Sequence, residues 1–240
     1  MVVITGAAKR LGAAIATHFA SLGYNLVLHH HQSAAEAGQL AERLYETYGV
    51  QAQLKQADLS DPAALTDFWE DLPPCGTLIL NAATYTRDTL ADMKAATLRN
   101  QLVVNLESPL MLAQGFMAQL PASASGSITV IGDGTLGWSI SPHFFSYAVS
   151  KHAWVSLIEL LAAAVAPRAR ANLIALPPTL PNEGEEEMFA RLAARAPLNR
   201  TGSAEELLAA LDYLRTAPGV TGQVLSLANG MHLTVARPPA

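Results

Sequence analysis

Tyr147 and Lys151 stand one helical turn apart in the stretch Ser146-Tyr147-Ala148-Val149-Ser150-Lys151. A spacing of four puts both side chains on the same helix face. A lysine ammonium beside a phenol favours the phenolate, and so lowers a tyrosine pKa that starts near ~10. Such a tyrosine is a usable proton donor or acceptor near neutral pH. Alone, the pair describes a solvated helix surface as readily as a catalytic acid. A second stretch, Thr5-Gly6-Ala7-Ala8-Lys9-Arg10-Leu11-Gly12, changes its meaning. Small residues there let the backbone approach a pyrophosphate. A helix starting at this point offers N–H donors and the positive end of its dipole. Lys9 and Arg10 add positive charge where phosphates would lie.

These two stretches need a scaffold that brings them together, and the apolar periodicity supplies one. Short apolar runs at 2–4, 25–29, 51–55, 77–80, 127–131, 171–175 and 223–227 are bounded by Gly, Asp, Pro or Asn, as buried parallel strands are. Helical patterns fill the intervals. In the first, Leu11, Ile15, Phe19 and Leu22 form one apolar stripe, and Gly23 stops it. Others fit 34–48, 62–70, 91–117, 146–165 and 204–216. This alternation predicts an α/β fold: a parallel, doubly wound sheet with helices on both faces. No repeat, linker or composition break divides 1–240, which predicts a single domain. The irregular stretch 177–202 carries Glu183, Glu185, Glu186 and Glu187. It reads either as a solvated loop with a short helix or, following the sixth strand's carboxyl end, as a lid over a substrate.

The second strand runs into His29-His30-His31-Gln32-Ser33. A site selective for NAD places an acidic residue here to bind the ribose hydroxyls. With none present, and with Lys9, Arg10, His30, His31, Gln32 and Ser33 nearby, a 2′-phosphate is accepted, so NADP(H) is the expected cofactor. The three histidines also invite a metal reading, but alternate strand residues point to opposite faces and no carboxylate or cysteine stands at ligand spacing, so no metal is expected. A formal net charge of −5 without a basic run argues against a nucleic-acid partner. The single cysteine, Cys75, excludes an internal disulfide. Met1-Val2-Val3-Ile4-Thr5 enters a strand pattern at once, which predicts no signal peptide and a cytoplasmic location. No uninterrupted apolar run reaches spanning length, so no membrane segment is expected. Only 15% of residues are charged, which hints that another subunit covers part of the surface.

Taken in order, these segments resemble a short-chain dehydrogenase/reductase over nearly the whole chain. The resemblance implies a Rossmann-like sheet of seven strands in three α/β/α layers, NAD(P)-linked reduction of a small-molecule carbonyl or imine, and a homotetramer. It implies cofactor contacts at Gly6, Leu11, Gly12, Asp58, Leu59, Asn81, Ala82, Ala83, Pro177 and Thr179, in addition to Tyr147 and Lys151. It implies that Asn105, in Asn105-Leu106-Glu107-Ser108-Pro109, completes a proton relay. Thr221-Gly222-Gln223 resembles the start of the last strand.

The departures from the family pattern narrow it. Arg10 stands where the second glycine is usual, and Asp133, fourteen residues before Tyr147, falls where a catalytic serine is usual. Asn81-Ala82-Ala83 is followed by Thr84-Tyr85, an aromatic where a planar ring would stack, and Pro177-Pro178-Thr179 replaces the common Pro-Gly. Together these resemble the pteridine reductases and the bacterial dihydromonapterin/dihydrofolate reductases. That branch implies substrate contacts from Arg10, Tyr85, Asp133 and Tyr147, and a relay of Asp133, Tyr147 and Lys151. Read from the residues alone, Asp133 is also an Asx-turn residue ending a strand, and Tyr85 is also ordinary loop packing. Two other readings stand beside a pterin reductase: a general NADP-dependent carbonyl or 3-oxoacyl reductase, and a non-catalytic NADP-binding sensor or structural subunit.

Overall fold

Val2–Ile4 (β1), Leu26–His30 (β2), Ala52–Gln56 (β3), Thr77–Leu80 (β4), Gly126–Asp133 (β5), Ala169–Leu176 (β6) and Val224–Ser226 (β7) pair in parallel. They form one seven-stranded sheet in the order β3-β2-β1-β4-β5-β6-β7. The structure is a computed structural model that describes residues 1–134, 143–181, 184–231 and 233. Glu183, one of the acidic residues of 177–202, lies outside them.

Side-chain alternation along the strands feeds two cores. Val3, Leu78, Leu80, Ile128 and Val130 enter one; Val2, Ile4, Ile79, Ile131 and Ile174 enter the other. Central strands buried on both faces need continuous apolar sequence, which is why these runs are Val-, Ile- and Leu-rich. Arg10–Ser21 (α1), Ala34–Tyr48 (α2) and Ala204–Thr216, the last helix, cover the second core through Ile15, Phe19, Leu40, Leu44 and Leu211. Pro62–Thr66 (α3), Ser108–Gln119 and Phe145–Val165 cover the first through Leu65, Leu112, Phe116, Trp154 and Ile158. The result is the expected Rossmann-like, three-layer α/β/α arrangement. The strand order reverses between β1 and β4, and the crevice at their carboxyl ends is where ligands bind in such sheets.

The long helix expected over 91–117 is instead three pieces. A turn held by the Asp92 carboxylate, which accepts from Thr89 N at 2.6 Å and Thr89 Oγ1 at 2.8 Å, delays its start. Ala95–Leu102 (α4) then passes into a π-helical turn, Val103–Glu107, before Ser108–Gln119 (α5). Pro109 has no N–H to continue the ladder, and Ser108 Oγ lies against the carbonyls of Leu59 and Val103. The widened turn carries Asn105. The helix expected over 62–70 tightens after α3 into a 3₁₀ turn, Asp67–Trp69.

Phe145–Val165 (α6) is long and apolar enough to cross a membrane by length and composition. Lys151 and Glu159 interrupt it, and Trp154, Ile158, Ala162 and Val165 bury one face against the sheet. Within 177–202 the chain forms a helix, Glu186–Arg195 (α7), none of whose residues is fully buried. Ala204–Thr216 (α8) starts with a complete capping box between Ser203 and Glu206.

Candidate active site

The glycine turn is built from both of its ends. Thr5 Oγ1, at the end of β1, accepts from Asn81 N and Ala82 N, each at 2.9 Å, which locks β1 to β4 at the strand-order reversal. Asn81 Nδ2 returns bonds to the carbonyls of Thr5 (2.9 Å) and Gly6 (3.2 Å). Gly6 takes a left-handed φ of +63°. A Cβ on Gly12 would sit 2.0 Å from Gly6 O, so only glycine lets the start of α1 press onto the turn. Arg10 has φ +52°, a conformation that suits the glycine usual here and costs a side-chain-bearing residue about 1–2 kcal/mol. Lys9, the N-cap of α1, offers no side-chain cap, so the first N–H groups of α1 keep their capacity for an anion. A cleft of about 620 Å³ opens over this turn, lined also by His31, Asp58, Leu59, Ala82 and Ala83. Its donors, close backbone and positive side chains fit the pyrophosphate of a dinucleotide.

His29, which sequence reading left outside the cofactor set, holds the turn in place. It is 2% exposed at the end of β2, where Nδ1 accepts from Gly6 N at 3.0 Å and Nε2 faces Ala57 O at 3.2 Å. Those partners require the neutral ring with its proton on Nε2. Burial lowers its pKa from 6.5 to about 4. Between pH 6.5 and 4 the unfolded chain therefore binds a proton here that the folded chain refuses. Stability contributed by this site falls as pH drops through that window, by roughly 3 kcal/mol in all. Urea unfolding at pH 7 and pH 4.5 should show a smaller pH dependence for His29→Asn than for the unmodified chain; equal slopes would contradict this role.

The residues after His29 separate by alternation. His31 lines the cleft and lies 3.6 Å from the Asp58 carboxylate. That aspartate, brought in from the end of β3, is held below the usual carboxylate range by hydrogen bonds from Ser60. His30 is buried, and Nδ1 has no partner among the described residues; it lines neither cleft. Gln32 and Ser33, expected at a 2′-phosphate, are outside both linings, with Ser33 at the N-cap of α2. Lys9 lines the cleft, with its ammonium 2.6 Å from Glu36 on α2.

A second cleft of about 780 Å³ adjoins the first and shares Arg10, Leu11, Asn81 and Ala83 with it. Tyr147 and Lys151 on α6 face it, as do Asp133 from the end of β5 and Tyr85 from the loop after β4. Pro177 and Thr179, expected against the cofactor, line this second cleft together with Tyr147 and Lys151. The Asp133 carboxylate lies close enough to the Tyr147 hydroxyl to act on its ionisation. Here the charge logic differs from the expectation of a lowered tyrosine pKa. Burial, with the Asp133 carboxylate next in weight, pushes the Tyr147 phenol well above its ordinary value. Lys151 is buried too, which lowers its pKa to about 8. Its Nζ donates to Ile131 O at 3.0 Å and sits 6.0 Å from the Tyr147 ring centre. A shared helix face gave proximity, whereas desolvation and a carboxylate from another strand set the sign.

Tyr85 is not open on both faces. Phe144 stacks on it with ring centres 4.4 Å apart and 18° between planes, and Tyr147 meets it edge-on at 4.9 Å. Sequence reading missed Phe144 because nothing local links 85 to 144. Asp88 does so through its buried carboxylate, which accepts from Ser146 N at 3.0 Å and from Ser146 Oγ at the start of α6. Asp88 thus fixes the helix turn that carries Tyr147. Asn105, expected in the relay, lines neither cleft. Its side chain bonds to Thr84 N (2.7 Å), Thr84 O (3.0 Å) and Ser150 Oγ (3.0 Å), and Ser150 Oγ donates to Tyr147 O at 2.7 Å. Asn105 therefore positions the tyrosine through the backbone of α6. Arg10 donates to the carbonyl of Leu180, tying the glycine turn to the segment that leads to α7.

Similarity to known proteins follows the same geometry. A family model described as enoyl-(acyl carrier protein) reductase matches residues 6–232. The solved FolM alternative dihydrofolate reductase 1 of Brucella canis, complexed with NADP, superposes with a TM-score of 0.89 at 32% identity. That alignment covers 99% of this chain and 96% of the other. The uncharacterized oxidoreductase YmfI of Bacillus subtilis is 28% identical over 239 residues, covering 96% of this chain and 98% of the relative. The 3-oxoacyl-(acyl-carrier-protein) reductase FabG of Salmonella typhimurium is 25% identical over 243 residues, 96% of each. With a match that runs from the glycine turn past the last strand, this chain belongs to the short-chain dehydrogenase/reductase family of oxidoreductases.

Proposed function

We propose that this chain is an NADPH-dependent reductase of a pterin-like C=N bond, in a dihydropterin, dihydromonapterin or dihydrofolate. In this reading residues 1–240 form one unit that holds both cofactor and substrate. The observation that carries it is the meeting of Asp133, Tyr147, Lys151 and Tyr85 in one cleft that shares Arg10 with the glycine turn. The 32% identity to an alternative dihydrofolate reductase solved with NADP supports it.

Gly6, Leu11, Gly12, Asn81, Ala82 and Ala83 would hold the dinucleotide along the first cleft, with His31 and Arg10 beside its phosphates. When bound, NADPH supplies the hydride that adds to the carbon of the C=N bond. Tyr147 gives its hydroxyl proton to the nitrogen of that bond. Asp133 holds the hydroxyl in line and passes a solvent proton back to it. Lys151, a cation beside the ring, stabilises the phenolate left after transfer. The free face of Tyr85 stacks on the flat heterocycle, worth about 0.5–1.5 kcal/mol beyond area burial. Exposed Met111, Val155 and Leu160 on α5 and α6 support a homo-oligomer, the tetramer expected of the family.

Steady-state assays with dihydrobiopterin, dihydromonapterin and dihydrofolate test the reading. Turnover of at least one is expected, with NADPH preferred over NADH. Reduction of simple ketones without turnover of any pterin would make this a carbonyl reductase instead. NADPH binding with no activity on either group would make it a non-catalytic binder.

A further inference from the structure

The larger cleft is more than a heterocycle needs, and its remaining wall has a chemical character of its own. A volume of about 780 Å³ is of the size that encloses drug-sized ligands, about 300–1,000 Å³. The wall beyond the catalytic end is α7. Met188, Leu192 and Arg195 recur there at steps of four and three, so they share one helix face, and all three line the cleft. A neighbouring face carries the Glu187–Arg191 ion pair, with both side chains largely in solvent. Met188, 41% exposed, leaves apolar surface open on the cleft side.

The helix also has a direction relative to the chemistry. Glu185, at its N-terminus, lines the same cleft as Tyr85, and the segment leading into it is tied to Arg10 through the Leu180 carbonyl. The catalytic end of the cleft therefore lies at the start of α7. Arg195 follows ten residues later, roughly 15 Å along the helix at 1.5 Å per residue. No hydrogen bond or ion pair engages Arg195 among the described residues. The path from Tyr85 to Arg195 thus runs from a flat aromatic platform, over apolar side chains, to the Arg195 guanidinium. On a chain of net charge −5, a local cation is what an anionic ligand tail requires.

We propose that Arg195 is the carboxylate-binding subsite for the substrate's tail. The enzyme would then prefer a pterin extended by an apolar linker ending in a carboxylate, the dihydrofolate class, over one with a short hydroxylated side chain. This rests on the pterin reading above. Charge-assisted bonds to a carboxylate are lost when the guanidinium is replaced by an amide.

The test compares two substrates that share the head and differ in the tail, dihydrofolate and dihydrobiopterin. Arg195→Gln should raise KM for dihydrofolate about tenfold more than KM for dihydrobiopterin, while kcat on dihydrofolate stays within about twofold. Arg195→Lys, which keeps the charge, should recover most of the loss. Equal changes on both substrates, or none, would overturn the subsite while leaving the pterin reading intact. Failure of the unmodified enzyme to turn over either substrate would remove the pterin reading and the subsite with it.

Discussion

Tyr147→Phe should lower kcat by about 10²–10⁴-fold, the usual worth of a positioned general acid, while NADPH binding and thermal stability persist. The substitution removes one oxygen and leaves the ring. The edge-on contact with Tyr85 and the approach of the Lys151 ammonium to the ring involve the ring itself and survive. The Ser150 bond to the Tyr147 carbonyl is a backbone contact and is untouched. What disappears is the hydroxyl beside Asp133, and with it the proton to be delivered. An NADPH titration separates this outcome from a folding defect: Kd should be near that of the unmodified enzyme. Unchanged kcat would remove Tyr147 as the proton donor. A parallel loss of kcat and NADPH affinity would assign it a binding role instead.

Gly12→Ala should weaken NADPH binding by about 100-fold or more, which is about 2.7 kcal/mol. The added methyl would meet three backbone atoms, Gly6 O at 2.0 Å and Ala7 Cα and Gly6 C each at 2.9 Å. Backbone cannot rotate away as a side chain can, so the turn and the start of α1 must separate. Overpacking of this kind costs about 1–3 kcal/mol or more in stability. It also moves the N–H groups that would face the pyrophosphate. Gly38→Ala is the control, because it sits within α2 with nothing within 4 Å of its Cβ position. That change should leave NADPH binding alone and hold or slightly raise stability. Equal NADPH affinity in Gly12→Ala and the unmodified chain would show that the tight turn is dispensable.

Both predictions use residues that the sequence exposed through local spacing, and the fold itself was legible for the same reason. Ala34–Tyr48 and Ala204–Thr216 have the bounds expected from periodicity, since both begin after a serine and carry regular apolar stripes. The helix expected over 91–117 was broken by Pro109 and by the Ser108 contact to Leu59, a partner 49 residues away. The site was legible in part. Tyr147, Lys151, Asp133 and Tyr85 share one cleft. His30, Gln32, Ser33 and Asn105 stand outside the linings of these two clefts, with Asn105 bonded to Thr84 and Ser150.

By itself the sequence determined the alternation of strands and helices, the glycine turn and the one-turn spacing of phenol and ammonium. Each is written in residues a few positions apart, and short-range sterics and apolar periodicity act at that range. Only the tertiary structure buried Tyr147 and set Asp133 beside it, and together these reverse the expected direction of its pKa. It alone placed Phe144 over Tyr85, His29 against Gly6 and α7 along the cleft. Those outcomes depend on desolvation and on neighbours supplied by distant segments, which come together only when the sheet and its helices pack.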